Sequence, residues 1–335
     1  MANAFRPGRR RVLAAAAALP ASLALPALAQ QRNAAAGWPT QVVKMIVGYP
    51  AGTSPDLVAR TIVDPLSQRL GQPVIIENRA GAGGNIGVDL VAKAKDGHTF
   101  GITTNGPLTT AAKLNPNLPY DVQKDLTPLS LTATSPLVLV TGMHVPATTL
   151  AEFIQLAKSK PGSISYGSIG VGSGSHLTME LFANRAGVEM LHVPFQGFPQ
   201  VTNAILGGQI SAGFMAPSGA LAQARGGRVR LLGITSPGRS TLAPEVPPVA
   251  EAGNMPGFSA ELWTAAIAPA SMPRPVADRL SSEIGAILRL PEIRQKLFEQ
   301  GWQSVGTAPE GLRNRIAADT KVWNDVITRA KVTLN

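Results

Sequence analysis

The feature that most constrains this chain is an early alternation of short apolar runs with helix openings. Val42-Val43-Lys44-Met45-Ile46-Val47-Gly48 reads as a strand, and the segment Ala51 to Arg60 turns the chain directly into a helix running to Leu70. A second strand is predicted over Gln72 to Glu77, a helix over Asn85 to Ala94 and a third strand over Thr99 to Thr104. The apolar runs are too short for helices, and their alternation with helical segments argues for a mostly parallel sheet covered on both faces.

The pattern then repeats after an interruption. Leu129 to Thr141 is long and β-rich and reads as a crossover between two lobes. Beyond it, Thr148 or Thr149 caps a helix with Leu150, Phe153, Ile154 and Ala157 on one face, stopped by Pro161-Gly162. A strand at Ile164 to Gly167, a Gly/Ser turn, a helix from His176 to Ala186, a strand at Met190 to Val193 and a helix from Gln200 to Leu206 follow. Strands at Ile210 to Met215 and Val229 to Thr235 complete that series, and a proline-rich loop leads to a return crossing at Phe258 to Ala268. The tail is helical over Pro275 to Leu290, Glu292 to Gln300 and Pro309 to Ala330, the last with Ile316, Val322, Trp323, Val326 and Ile327 on its apolar face.

Residues 1–29 have the form of an export signal. Arg6, Arg9, Arg10 and Arg11 precede an apolar stretch from Val12 to Leu28, and Ala27-Leu28-Ala29 supplies small residues for cleavage before Gln30. Arg9-Arg10-Arg11-Val12-Leu13 resembles the twin-arginine pattern, but Gly8 stands where that pattern has Ser or Thr and the later lysine is absent. Export to the periplasm of a Gram-negative bacterium is the expectation, by either route. The formal charge of +10 falls to +6 after cleavage, because four of the thirty basic residues and none of the twenty acidic ones lie in the signal. The remaining Lys and Arg are scattered, so nucleic acid is not an expected partner. With no cysteine the chain has no disulfide, thiolate metal site or cysteine nucleophile. About 300 mature residues exceed a typical single core, which makes two lobes the default.

Three segments carry the chemistry. In the first turn Ser54 is placed to cap the helix, Pro55 suits its first position, and the Asp56 carboxylate lies in the first turn, where the helix dipole favours it by about 0.3–1 kcal/mol. The free N–H groups ahead of that helix suit a carboxylate. For Asp56 the structural role is preferred over contact with a ligand amine. Gly81-Ala82-Gly83-Gly84-Asn85-Ile86-Gly87 misses the dinucleotide fingerprint, since Ile86 occupies its last glycine position, and reads as a tight turn. Ser168-Ile169-Gly170-Val171-Gly172-Ser173-Gly174-Ser175-His176 is a second strand-to-helix turn in which Ser173 or Ser175 can cap. A serine nucleophile with His176 as base would make the chain an exported hydrolase, yet no G-x-S-x-G elbow occurs, so binding and capping are preferred. His98, His144, His176 and His192 show no metal-ligand spacing, and Gly-Lys does not occur, so no metal or cofactor is expected.

Taken together, these segments resemble the Bug family, the extracytoplasmic solute-binding receptors of tripartite tricarboxylate transporters. The resemblance spans the mature chain through the Ala51 to Arg60 turn, Glu77 to Gly87, Asp96-Gly97-His98-Thr99, Tyr120-Asp121, Asp125 to Pro128, Tyr166 to Leu177, His192 to Gly197, Gly207-Gly208-Gln209 and Glu251-Ala252-Gly253. It implies an α/β, type II periplasmic binding protein-like fold. Lobe 1 would take 38–136 plus 263–335 and lobe 2 137–262, joined by two crossing strands around a ligand cleft. It further implies that Gly52, Thr53, Ser54, Ser168, Gly170, Gly172 and Ser173 hold a small organic carboxylate, with Tyr49, Asp56, Thr104, Asn105, His176, Phe195, Gln196, Gly197 and Ser218 as further cleft candidates. The receptor would act as a monomer, deliver its ligand to transporter membrane subunits and have no catalytic residue; a sensor of the same fold, signalling to a membrane kinase, is the alternative. Three residues depart from the pattern: Thr53 replaces a glycine, Pro55 a threonine, and Gln196 a basic residue. If position 53 required φ > 0, a β-branched residue there would cost roughly 1–2 kcal/mol.

Overall fold

The computed structural model describes residues 1–2, 37–195 and 197–333. The export-signal reading therefore falls almost wholly outside the described residues, and so does Gln196. Four strands come first: β1 (Val43–Val47), β2 (Val74–Asn78), β3 (Thr99–Thr104) and β4 (Leu126–Pro136). Five more make a separate sheet: β5 (Val138–Gly142), β6 (Ser165–Ser168), β7 (Leu191–Pro194), β8 (Ala212–Met215) and β9 (Val229–Ile234). The chain then returns through β10 (Glu261–Pro269) and β11 (Gln303–Ser304) to the first. The six-stranded sheet has the order β11-β4-β10-β3-β1-β2, and the five-stranded one β7-β6-β8-β5-β9.

Both sheets are mixed, not mostly parallel. β1 runs parallel to β2 and β3, and β6 parallel to β7 and β8. β10 lies antiparallel to β3 and β4, and β5 antiparallel to β8 and β9. The reason lies in the crossing: β4 leaves the first sheet, β10 comes back beside it, and such an out-and-back pair must be antiparallel. The stretch predicted as one crossover is two strands broken at Leu137. There the two crossings are tied by one buried side chain. Leu137 N–H donates to Thr235 Oγ1 at 2.8 Å, Thr235 N–H returns a bond to the Leu137 carbonyl at 2.8 Å, and the Thr235 hydroxyl donates to the Ala260 carbonyl.

Each sheet has its own core. Val43, Met45 and Val47 of β1 are fully buried with Ile62 and Leu66 of the Ser54–Leu70 helix, each such side chain worth about 1.5–3 kcal/mol. Phe153, Phe182, Phe214 and Phe258 fill the second core. The Pro309–Arg329 helix joins both: Leu312 packs with Trp263 of β10, whereas Trp323, Val326 and Ile327 pack into the second core. Those three form an i, i+3, i+4 stripe, and Val322, one residue off it, is 45% exposed, unlike its predicted place on the apolar face. The Gly81 to Gly87 segment serves close packing. A Cβ at Gly87 would collide with Gly48 Cα, so these glycines let the Asn85–Ala92 helix lie directly on the end of β1. Two helices absent from the sequence reading, Asn105–Thr109 and Pro217–Arg225, begin at the ends of β3 and just after β8.

Candidate functional site

The first turn leaves β1 and enters the Ser54–Leu70 helix. Thr53, not Ser54, occupies the cap position, with φ −79° and ψ 163°, and its carbonyl accepts from Leu57 N–H at 2.9 Å. Ser54 is the first helical residue and Pro55 the second. The cap moves because the left-handed residue is Gly52, at φ 80°, which leaves Thr53 unstrained in place of the glycine of the family pattern. The Thr53 hydroxyl makes no cap bond and donates back to the Pro50 carbonyl at 2.6 Å. Asp56 is fully buried. Its Oδ2 accepts from Gly52 N–H and from Arg60 Nε, each at 2.8 Å, and its Oδ1 accepts from Asn78 Nδ2 at 2.9 Å. Burial pushes its carboxyl upward, but the bonds from Arg60, Gly52 and Asn78 prevail and hold it below the usual carboxylate range. Asp56 is thus the clamp of the turn, tying it to the helix and to β2.

Tyr49 and Thr104 form a directed chain beside that turn. Tyr49 Oη donates to the Gly83 carbonyl at 2.7 Å and lies 2.6 Å from Thr104 Oγ1. A phenol has one proton, and the carbonyl can only accept, so the Thr104 hydroxyl donates to Tyr49 Oη. Burial, only partly offset by this bond, pushes the Tyr49 phenol up to about 12.

The second turn leaves β6 and enters the Gly174–Ala186 helix, with Ser173 as its cap. Ser173 Oγ accepts from His176 N–H at 3.4 Å and donates to the Gly170 carbonyl at 2.7 Å. Buried Ser168 also donates to that carbonyl at 3.0 Å and accepts from Gly170 N–H at 3.2 Å. Its oxygen lies 2.7 Å from His192 Nε2. Gly172 N–H donates to His176 Nδ1 at 3.0 Å, which places the His176 proton on Nε2, facing Glu180 Oε1 at 3.7 Å. The parallel register of β6 and β7 sets Tyr166 beside His192, their rings 5.0 Å apart, and His176 stacks on His192 at 3.9 Å. Burial, with the neighbouring His192 adding to it, lowers His176 to about 3; burial lowers His192 as well. Glu180, which accepts from Tyr166 Oη, is raised by burial, a push that this bond only partly opposes. Both imidazoles are therefore neutral struts beneath the turn.

The second turn meets β10 and the end of β3 across the seam between the sheets. A Cβ at Gly174 would collide with Leu262 and stand 4.0 Å from Asn105 Nδ2. At another point of the seam, a Cβ at Gly301 would lie 3.5 Å from Ser218 Oγ. Phe195 N–H donates to the Ser168 carbonyl at 2.9 Å, and Gly197 is the cap position of the Phe198–Leu206 helix. Gln196, between them, lies outside the described residues. The structure thus brings Thr104, Asn105 and the Ser168 to His176 turn together, and it joins Tyr49 to Thr104. The sequence reading missed Asn78, His192, Tyr166 and Glu180 as supports. Only the register of β6 with β7 sets Tyr166 and His192 side by side, a pairing that no local spacing signals. Thr53, Ser168 and Ser173 have their hydroxyl protons turned inward to carbonyls. The first-turn N–H groups left without an intrahelical acceptor are those of Ser54 and Asp56 in the first helix and of Gly174 and Ser175 in the second, since Pro55 has none and His176 donates to Ser173.

Two mixed α/β sheets joined by an out-and-back strand pair, with helix starts meeting over the seam, define the architecture of the two-lobed solute-binding proteins. A family model described as the tripartite tricarboxylate transporter family receptor matches residues 58–332, and the chain belongs to that family. It is 35% identical over 329 residues to a protein of the tcbD-tcbE intergenic region of Pseudomonas sp. strain P51, covering 98% of this chain and 96% of that one. It is 36% identical over 292 residues to Protein BugT of Bordetella pertussis, covering 87% and 89%. Among solved structures it is similar to R. palustris Rpa4515 with adipate, at TM-score 0.78, 31% identity and coverage of 88% and 99%. It is also similar to MatC from Rhodopseudomonas palustris with bound malate, at TM-score 0.74, 31% identity and coverage of 87% and 100%.

Proposed function

We propose that this receptor is exported to the periplasm, closes its two lobes on a small organic carboxylate and passes it, as a monomer, to membrane subunits of a tripartite transporter. The observation that carries the reading is the approach of Asn105, at the end of β3, to Gly174, at the head of the second turn, with Tyr49 beside the first turn tied to the same point through Thr104 and with the N–H groups of the helix starts as donors. Such donors suit a carboxylate and gain from the helix dipole. The carboxylate-bound relatives support the same class of ligand. In our reading the hinge is the Leu137–Thr235–Ala260 tie, and the division into 38–136 plus 263–335 against 137–262 is modified only by the last helix, whose end rides with the second lobe.

We read the chain as a binder without enzymatic activity. Ser168 and His192 have the separation of a nucleophile and base, but the serine is buried and its proton is directed to the Gly170 carbonyl. A fluorophosphonate is expected to leave Ser168 unlabelled. The test of the main reading is native mass spectrometry of the mature protein, release of any copurified acid, and a thermal-shift screen of carboxylates. A carboxylic acid that raises the melting temperature supports the reading, and a protein indifferent to every carboxylate overturns it. Gln196→Arg is expected to strengthen dianions relative to monoanions.

A further inference from the structure

The direction of the protons beside the first turn has a consequence for ligand selection. Because the Tyr49 proton goes to the Gly83 carbonyl and the Thr104 proton to Tyr49, Thr104 Oγ1 has only lone pairs left to offer. Thr104 also occupies the cap position of the Asn105–Thr109 helix, yet its side chain accepts no bond from that helix. Those lone pairs are uncommitted, on a half-buried residue at the end of β3. The next residue, Asn105, faces Gly174 at the head of the second turn. A carboxylate oxygen placed against Thr104 would set lone pair against lone pair; a ligand donor would complete the chain.

The nature of that donor follows from its surroundings. An ammonium would call for an anionic partner. The nearby carboxylate tied into the first turn, Asp56, is fully buried and already accepts three bonds. A neutral hydroxyl needs only an acceptor. We infer that Thr104 is a specificity-determining residue whose acceptor-only oxygen selects carboxylic acids carrying a hydroxyl group. This rests on the carboxylate-receptor reading and narrows it.

The experiment is calorimetric titration of the purified mature protein with matched acids that differ by a hydroxyl: lactate and propionate, malate and succinate, citrate and tricarballylate, and mandelate and phenylacetate. For whichever pair binds, the hydroxy acid is expected to bind roughly three- to tenfold more tightly, the worth of one satisfied neutral hydrogen bond. Thr104→Val keeps the shape and removes the acceptor, so the ratio should fall to about one. Tyr49→Phe removes the oxygen that takes the Thr104 proton, freeing that hydroxyl to donate, so the ratio should shift toward the acid without the hydroxyl. Circular dichroism and unfolding curves show that each variant is folded before its ratio is read. Equal binding of both members of a pair by the unaltered protein overturns the selection while the receptor reading stands. A preference that survives Thr104→Val overturns the role of Thr104. Failure of every acid to bind overturns both readings together.

Discussion

The two turns both lead a strand into a helix start, but they are held from beneath by opposite chemistry. The first is braced by a buried charge, Asp56, which accepts from Gly52, Arg60 and Asn78. The second is braced by neutral rings, with His176 accepting from Gly172 and His192 beside Ser168. A charge gives the stronger bonds, yet it must be fully satisfied; stacked neutral imidazoles hold a turn with weaker bonds and no net charge beneath the donors. The difference teaches that the outward function of a helix start does not dictate its foundation.

The comparison breaks most visibly at Asp56. Asp56→Ala leaves Gly52 N–H and one Asn78 Nδ2 proton without their acceptor and releases the half-exposed Arg60 to solvent, and is expected to cost about 2 kcal/mol of stability, measured by urea unfolding, together with most of the ligand affinity. Asp56→Asn, able to accept but also carrying a donor, should fall between.

Acid separates the two foundations next. His176 and His192 are lowered in the folded state, so the unfolded chain binds protons first as pH falls below about 6.5, and stability declines from there until the folded-state values are reached. Each proton is worth about 1.4 kcal/mol per pH unit. Glu180 is raised in the fold and acts oppositely just above its ordinary range, where folding takes up a proton, and this offsets part of the decline. Asp56 is lowered in the fold, so its contribution is present above the unfolded value of 3.8 and is lost only as pH falls through its folded value. Unfolding curves between pH 7 and 3 are therefore expected to soften first through the second turn, and His176→Gln should reduce the slope across the whole interval below about pH 6.5, leaving the part due to His192.

A smaller effect sharpens the account of the rings. His192→Phe keeps the stack with Tyr166 and His176 but removes the partner of Ser168 Oγ, and should cost about 1 kcal/mol in urea unfolding. The smallest effect is expected at Thr53. With φ at −79°, restoring a glycine relieves no strain and loses the bond to Pro50, so Thr53→Gly should lower stability by about 0.5–1 kcal/mol in thermal unfolding.

Much of this was legible in the chain. The alternation of Val42 to Gly48, the Ala51 to Arg60 turn and the strand at Thr99 to Thr104 fixed an α/β fold and located the first turn. Thr149 with Glu152 forms the capping box its spacing allows, with Glu152 N–H donating to Thr149 Oγ1 at 3.2 Å. The basic and apolar pattern read as an export signal, the absence of cysteine and the two Gly/Ser-rich turns likewise belong to the sequence, because each is a matter of residue types along the chain. Tertiary structure alone decided the mixed sheets, the shift of the cap from Ser54 to Thr53, and the stack of Tyr166, His192 and His176. It also decided which way the Thr104 proton points. The physical reason is common to all four: each is settled by a partner brought near by folding, Asn78 for the Asp56 clamp, β10 for β4, Pro194 for the register of Ser168, and the Gly83 carbonyl for the proton of Tyr49.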